Sequence, residues 1–346
     1  MINVGIIGGT GYTGVELLRL LAIHSEVNLQ VITSRSEAGK LVSDLYPSLR
    51  GQCDIVFTEP DVQALKQCEV VFSATPNGVL MNIARELLEA GVKLIDLAAD
   101  FRIQDISTWE KWYGKKHSCP ELVAKAVYGM PEMNREMIKN ADIIANPGCY
   151  VTATTLALLP LVGTNSEDAV IALDGIVVDA KSGVTGAGRG ASVATLYSEV
   201  TDSFKAYGVA GHRHHPEITQ NLSITAGQSV DLTFLPHLVP MQRGILASIY
   251  VDLQSDADIA ACYEARYKDE PFVDILPAGI FPETRSVRAS NMCRIAFCQP
   301  KVGSKLIILS VIDNLTKGAA GQAVQNFNLM FGFDEKTALY NPAVMP

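Results

Sequence analysis

The chain has 346 residues, 48% of them hydrophobic and 19% charged, which is enough to bury a substantial core and suits two domains. A formal charge of -9 with no Lys/Arg-rich run argues against a surface for nucleic acid or an anionic membrane, while still allowing a local basic pocket for a small anion. No apolar run reaches the ~18 residues of a membrane span, and the seven cysteines, without a Cys-x-x-Cys pair, fit reduced thiols in a cytoplasm.

The first residues run straight into an apolar strand at Val4–Ile7, with neither a basic stretch nor a small-residue cleavage site ahead of it. Gly9-Thr10-Gly11-Tyr12-Thr13-Gly14 follows at once, and Gly14–Ala22 has helical apolar spacing. A G-x-G-x-x-G turn between strand and helix lets the backbone approach a pyrophosphate, whose charge then meets the helix N-terminus; the alternative is a tight turn without a ligand. The second strand, Leu29–Ile32, ends in Thr33-Ser34-Arg35-Ser36, with no acid in the place where Asp or Glu would hold a ribose 2′-hydroxyl. Ser34 and Ser36 offer hydrogen bonds and Arg35 a positive charge, so a 2′-phosphate, and hence NADP, is expected unless Arg35 is merely a solvated loop cation.

Further strands are predicted at Val70–Ala74, Leu94–Leu97 and Ile143–Ala145, with a crossover helix at Val79–Ala90, the pattern of a doubly wound parallel sheet. Asn146-Pro147-Gly148-Cys149-Tyr150 then leads into a predicted helix, Val151–Leu159, that Pro160 stops. A cysteine at a helix start meets free N–H groups able to stabilise a thiolate and a later oxyanion, so Cys149 stands out as a nucleophile from cysteines with ordinary apolar neighbours. Beyond it, Val170–Val178, Ser229–Phe234, Ile245–Asp252 and Leu306–Val311 read as strands of a mixed sheet in an α+β domain, and Asn314–Phe331 as a last helix. The dense histidine cluster, His212-Arg213-His214-His215-Pro216-Glu217, offers an acid/base partner for Cys149, with a metal site or a plain surface loop as alternatives. His24, His117 and His237 are isolated.

Several motifs together resemble the N-acetyl-γ-glutamyl-phosphate reductase family of arginine biosynthesis: Gly8-Gly9-Thr10-Gly11-Tyr12-Thr13-Gly14, Asp100-Phe101-Arg102, Asn146-Pro147-Gly148-Cys149-Tyr150, Lys181-Ser182-Gly183 with Gly186-Ala187-Gly188-Arg189, His212-Arg213-His214 with Pro216-Glu217, Pro236-His237-Leu238-Val239-Pro240, and Lys317-Gly318-Ala319-Ala320-Gly321-Gln322-Ala323. Only His215 departs, where a small polar residue is common. The resemblance implies a semialdehyde-dehydrogenase-like α/β fold: a Rossmann-like NADP-binding domain at 1–148, an α+β catalytic and dimerisation domain at 149–313, and a C-terminal helix in 314–346 returning to the first domain. It implies reduction of an acyl phosphate to an aldehyde through a Cys149 thioester, with His212 or His214 as acid/base and Glu217 beside them, and a homodimer or homotetramer. Arg102 is expected to meet phosphate and Arg213 or Arg189 the carboxylate, with Asn146 beside the substrate; an ion pair of Arg102 with Asp100 or Asp105 is the plain alternative. Ser182, Gly183 and Asn314 are expected near the cofactor. Rival readings are aspartate-semialdehyde dehydrogenase, a lysine-pathway reductase, a non-catalytic NADP-binding sensor and a metal hydrolase.

Overall fold

The computed structural model describes residues 1–165 and 168–345, which divide into two compact units: Met1–Pro147 with Ala319–Asn341, and Gly148–Gly318 with Pro342–Pro346. The expected C-terminal segment 314–346 is therefore shared between the units, with Ala319–Asn341 alone joining the first.

The first unit is a six-stranded parallel sheet. Its strands are β1 (Ile2–Ile7), β2 (Val27–Thr33), β3 (Val70–Ser73), β4 (Lys93–Asp96), β5 (Val127–Tyr128) and β6 (Ile143–Ala145), in the order β2-β1-β3-β4-β6-β5. Covered on both faces, these strands are short apolar runs rather than alternating ones, which is why they were readable in sequence. Every residue of β3 and β6 is buried, and Val71, Leu94, Ile143 and Trp109 share one core cluster. The chain leaves β1 toward β2 and then crosses back to β3, so the order reverses beside β1, where the glycine turn begins.

The crossover expected as one helix at Val79–Ala90 is broken into a 3-10 turn, Leu80–Asn82, and a helix, Ala84–Glu89. The break falls at Ile83, whose φ of -122° and ψ of -6° lie outside the helical region. The Asp100 carboxylate accepts the N–H groups of Gly78 and Met81 and so pins the first turn to the neighbouring loop.

The second unit carries a seven-stranded mixed sheet, ordered β11-β12-β13-β10-β7-β9-β8. Here β7 is Ile176–Ser182, β8 Lys205–Ala206, β9 Leu232–Leu238, β10 Ile245–Asp252, β11 Val273–Ile275, β12 Cys293–Cys298 and β13 Lys305–Ile312. The run Val170–Val178 is not one strand: Gly175 at φ +69° follows Asp174 in a turn, leaving Ile171 with an isolated bridge to Leu253 and starting β7 at Ile176. The strand expected at Ser229–Phe234 lies instead at β9 and runs on through Pro236.

Against β10 and β13 packs the helix Cys149–Leu158, buried on every side from Tyr150 onward. Tyr263 and Tyr267 donate their hydroxyls to the carbonyls of Ala157 and Leu156, supplying partners for the carbonyls that a helix end leaves open. The last predicted helix is also split. The Asp313 carboxylate takes the N–H groups of Leu315 and Thr316, and Gly318 N–H returns to Asp313 O, so Thr316–Ala320 winds as a π-turn before the helix Gly321–Met330. No helix among the described residues is long and apolar enough to cross a membrane.

Candidate active site

In the first unit the glycines of the turn divide by what surrounds them. A Cβ on Gly14 would lie 2.6 Å from Gly8 O, one on Gly9 2.6 Å from the Ile32 side chain, and one on Gly8, at φ +86°, 2.7 Å from Ala74 O. Those three let chain pack on chain. Gly11 differs: a Cβ there meets no atom within 4 Å. It is also the N-cap of the helix Tyr12–Leu21, with no side-chain cap and no acid in the first turn. An open, uncapped helix start fits a pyrophosphate, so the residues present suit a dinucleotide.

At the end of β2, Ser34 is buried and its hydroxyl accepts the Glu37 N–H, whereas Arg35 and Ser36 are exposed. Glu37, the acid nearest this loop, is paired with Lys40 at 2.8 Å. Arg102, after β4, is nearly buried and donates to Leu97 O. Its loop is held from inside by Asp96, which accepts the N–H groups of Ala98, Asp100 and Phe101. Burial, then the Asp100 carboxyl, push Asp96 up to about 7, with Arg102 pulling the other way. Asp105 is not the partner expected as an alternative; it caps the helix Ile106–Tyr113 through Thr108 N–H. Asn146, expected beside the substrate, is fully buried, donating to Ala319 O and accepting from Asn326 within the first unit.

In the second unit Cys149 is the first residue of its helix, with Gly148 as an N-cap that has no side-chain cap and no acid in the turn that follows. Two glycines clear the space around it. A Cβ on Gly318 would lie 2.7 Å from Cys149 Cβ, and a Cβ on Gly148 would collide with the His214 imidazole. His214 therefore stands directly over the residue preceding the nucleophile. Glu217, fully buried one helical turn further along His214–Ala226, accepts the Gly148 N–H at 3.0 Å.

His212 occupies a different position. Its Nδ1 accepts the His214 backbone N–H at 3.1 Å, which assigns the ring proton to Nε2. It stacks edge-on with Tyr150, Tyr207 and Phe234, and burial, then the charge of Arg213, lower its pKa to about 4. Burial thus favours the neutral His212 ring, while His214 stands beside Gly148. His215 bonds Leu232 O at 3.0 Å and ties its helix to β9, so the three imidazoles are not directed at one point. Among the described residues no His, Cys, Asp and Glu gather into a metal-binding group.

Ser182, Gly183 and Asn314 meet in one network. A Cβ on Gly183 would lie 2.6 Å from Gln242 O, and Ser182 donates to Gly183 O. Asn314 accepts Gly244 N–H at 2.7 Å and donates to Thr185 Oγ1 at 3.0 Å, so its amide holds two loops together. Arg189 and Arg213 are exposed. Sequence reasoning missed Tyr150 and Tyr207, whose hydroxyls meet at 2.9 Å beside His212, and the Arg243–Asp313 ion pair behind the π-turn. Only the position of Tyr150 next to Cys149 could have signalled the first.

Residues 3–141 match the model of the semialdehyde dehydrogenase NAD binding domain, and residues 149–314 that of the semialdehyde dehydrogenase dimerisation domain. The N-acetyl-gamma-glutamyl-phosphate reductase of Nitrosospira multiformis is 60% identical over 346 residues, covering 100% of both chains. That of Laribacter hongkongensis is likewise 60% identical with 100% of both chains covered. Among solved structures, aspartate semialdehyde dehydrogenase II of Vibrio cholerae superposes with a TM-score of 0.71 at 19% identity, covering 96% of this chain and 98% of that one. The Candida albicans aspartate semialdehyde dehydrogenase solved with NADP gives 0.70 at 16%, covering 96% and 98%. At such identities the structures speak for the fold, whereas full-length identity of 60% speaks for the family. The chain belongs to the N-acetyl-γ-glutamyl-phosphate reductase family, built on the two-domain semialdehyde dehydrogenase plan.

Proposed function

We propose that this chain catalyses the reversible, NADPH-dependent reduction of N-acetyl-γ-glutamyl phosphate to N-acetylglutamate 5-semialdehyde and phosphate, a step of arginine biosynthesis. The observation that carries this reading is Cys149 at an uncapped helix start, cleared by Gly148 and Gly318 and overlooked by His214. The Cys149 sulfur attacks the acyl carbon, and the carbon–oxygen bond to phosphate breaks as phosphate leaves, giving a thioester. When bound, NADPH supplies the hydride that reduces this acyl carbon. His214 gives a proton to the oxygen of the resulting thiohemiacetal and, as the carbon–sulfur bond breaks, takes it back, so aldehyde and thiolate are released in balance. The N–H groups at the start of the Cys149 helix stabilise negative charge on sulfur and oxygen. Glu217 holds the Gly148 peptide and so fixes the entry to that helix.

Gly8, Gly9, Thr10, Gly11, Tyr12, Thr13 and Gly14 form the dinucleotide turn, with Arg35, Ser34 and Ser36 for the 2′-phosphate. Arg102 is assigned to the substrate phosphate, and Arg189 or Arg213 to the carboxylate. The seven free thiols suit a reducing cytoplasm, and the match to a dimerisation domain supports a homodimer or homotetramer assembled through residues 149–314.

The test is NADP reduction by N-acetylglutamate semialdehyde plus phosphate, run on wild type and Cys149→Ser together. Turnover that requires phosphate and vanishes in the variant is expected. Turnover only with unacetylated aspartate semialdehyde would favour the related dehydrogenase, and NADP binding without any turnover would favour a sensor.

A further inference from the structure

Directly after β13, Thr316–Ala320 winds as a π-turn, with Gly318 N–H on Asp313 O at 2.9 Å, five residues back rather than the four of an α-helix. Such turns are rare and recur at functional sites, because the extra residue persists only where its surroundings hold it. Here the holder is the fully buried Asp313 carboxylate. Its Oδ1 accepts the N–H groups of Leu315 and Thr316 at 2.8 and 2.9 Å and Nη2 of Arg243 at 3.0 Å. Its Oδ2 accepts Nε of Arg243 at 2.8 Å and the Ala289 N–H at 2.7 Å. To make that bond Ala289 stands at φ +57°, a left-handed conformation that a residue with a Cβ disfavours. Arg243 Nη2 also donates to Thr316 Oγ1 at 3.0 Å, so one guanidinium binds the carboxylate and the turn together.

What the turn delivers is a register. A Cβ at position 318 would lie 2.7 Å from Cys149 Cβ and 3.2 Å from Cys149 Cα, and the residues on either side, Lys317 and Ala319, both carry one. Winding the same residues as an ordinary α-turn would shift them by about one position, or roughly 100° of rotation, and bring a side chain against the cysteine. We propose that Arg243 and Asp313 are positioning residues for the reaction at Cys149: as a pair they hold the π-turn in the register that sets a glycine against the nucleophile. The inference rests on the reading of Cys149 as the thioester-forming residue. Arg243, Asp313, Gly318 and Cys149 all lie in the second unit, whereas the dinucleotide turn lies in the first, so breaking the pair acts on the cysteine and spares the binding of NADP through that turn.

The test uses Arg243→Ala and Arg243→Lys in the full chain, each first shown by circular dichroism to be folded at the assay temperature. With N-acetylglutamate semialdehyde and phosphate, kcat of Arg243→Ala should fall at least tenfold. Alkylation by iodoacetamide, read at the Cys149 peptide by mass spectrometry, should slow by a similar factor, while NADP affinity from nucleotide fluorescence stays within threefold. The Arg243 side chain is 20% exposed, so a small cation can enter the space it leaves. Millimolar guanidinium should therefore raise both rates of Arg243→Ala at least threefold, and urea, similar in shape but uncharged, should raise neither. Arg243→Lys keeps the charge without the two-pronged geometry and should fall between wild type and Arg243→Ala; it carries the same comparison if Arg243→Ala does not fold. Folded variants with wild-type kcat, or a loss of kcat with Cys149 alkylated at the wild-type rate, would overturn the proposal and leave the thioester reading intact. Wild type that turns over with Cys149 fully alkylated would instead remove the thioester reading, and the proposal with it.

Discussion

Replacing Gly318 by alanine would put a methyl carbon 2.7 Å from Cys149 Cβ, where carbon atoms normally stand about 3.5–4.0 Å apart. Cys149 cannot retreat along its helix, because that helix is buried on every side from Tyr150 to Leu158. The π-turn is held as firmly, by Asp313 on the N–H groups of Leu315 and Thr316. The separation must therefore open by about 1 Å at the nucleophile, and a displacement of that size costs roughly 10²-fold in rate, or about 2.7 kcal/mol of transition-state stabilisation. The loss should fall on kcat. Gly318 lies outside the dinucleotide turn, so NADP affinity should be unchanged. Steady-state kinetics with N-acetylglutamate semialdehyde and phosphate and nucleotide fluorescence titration measure the two quantities. A kcat within threefold of wild type would refute the reasoning, since the methyl would then have found room that the packing around Cys149 denies it.

Gly11→Ala and Gly14→Ala should separate ligand contact from chain packing. The first meets no protein atom and should leave thermal stability unchanged while weakening NADP binding at least tenfold. The second strikes Gly8 and Gly9 backbone and should also lower stability by about 1–3 kcal/mol. If Gly11→Ala bound NADP as wild type does, the pyrophosphate would not lie on that turn. His214→Asn should lower kcat at least a hundredfold at fixed pH, whereas His212→Asn should lower it less than tenfold, as steady-state kinetics would show. Because the folded chain holds His212 at about 4 against an ordinary 6.5, the unfolded chain binds its proton first as pH falls. Stability should then drop by up to about 3 kcal/mol between those pH values and be fully present above them, a slope that urea unfolding should find reduced in His212→Phe. Asp313→Asn should cost about 3 kcal/mol, measured the same way, by removing the fully buried partner that Arg243 binds through two nitrogens.

What could be read from sequence was local. The parallel strands announce themselves because each is a short apolar run, and Cys149 because Pro147 and Gly148 stop one element just before another begins. The failures were also physical. Asp174-Gly175 is a turn signal inside an apolar run, and hydrophobicity outweighed it when Val170–Val178 was read as one strand. Periodicity across Asn314–Phe331 is helical enough to hide a π-turn, which depends on where the Asp313 carboxylate sends its hydrogen bonds. His212 and His214 are two residues apart and chemically alike, so only the tertiary structure separates them. One ring accepts the backbone N–H of the other and is walled in by Tyr150, Tyr207 and Phe234, of which Tyr150 and Phe234 lie outside the motif's neighbourhood in sequence.

Gly318 makes the same point from the other side. In sequence it is a small residue near a helix start, beside Lys317 and Ala319. Its meaning lies in Cys149, far away along the chain, whose Cβ occupies the volume that any other residue at 318 would need. Gly148 has the same relation to His214. The surroundings of Cys149 and of His214 are thus each opened by the absence of a side chain. Absence has no periodicity and no charge, so a single sequence can name both glycines without showing which side chains need the space they leave.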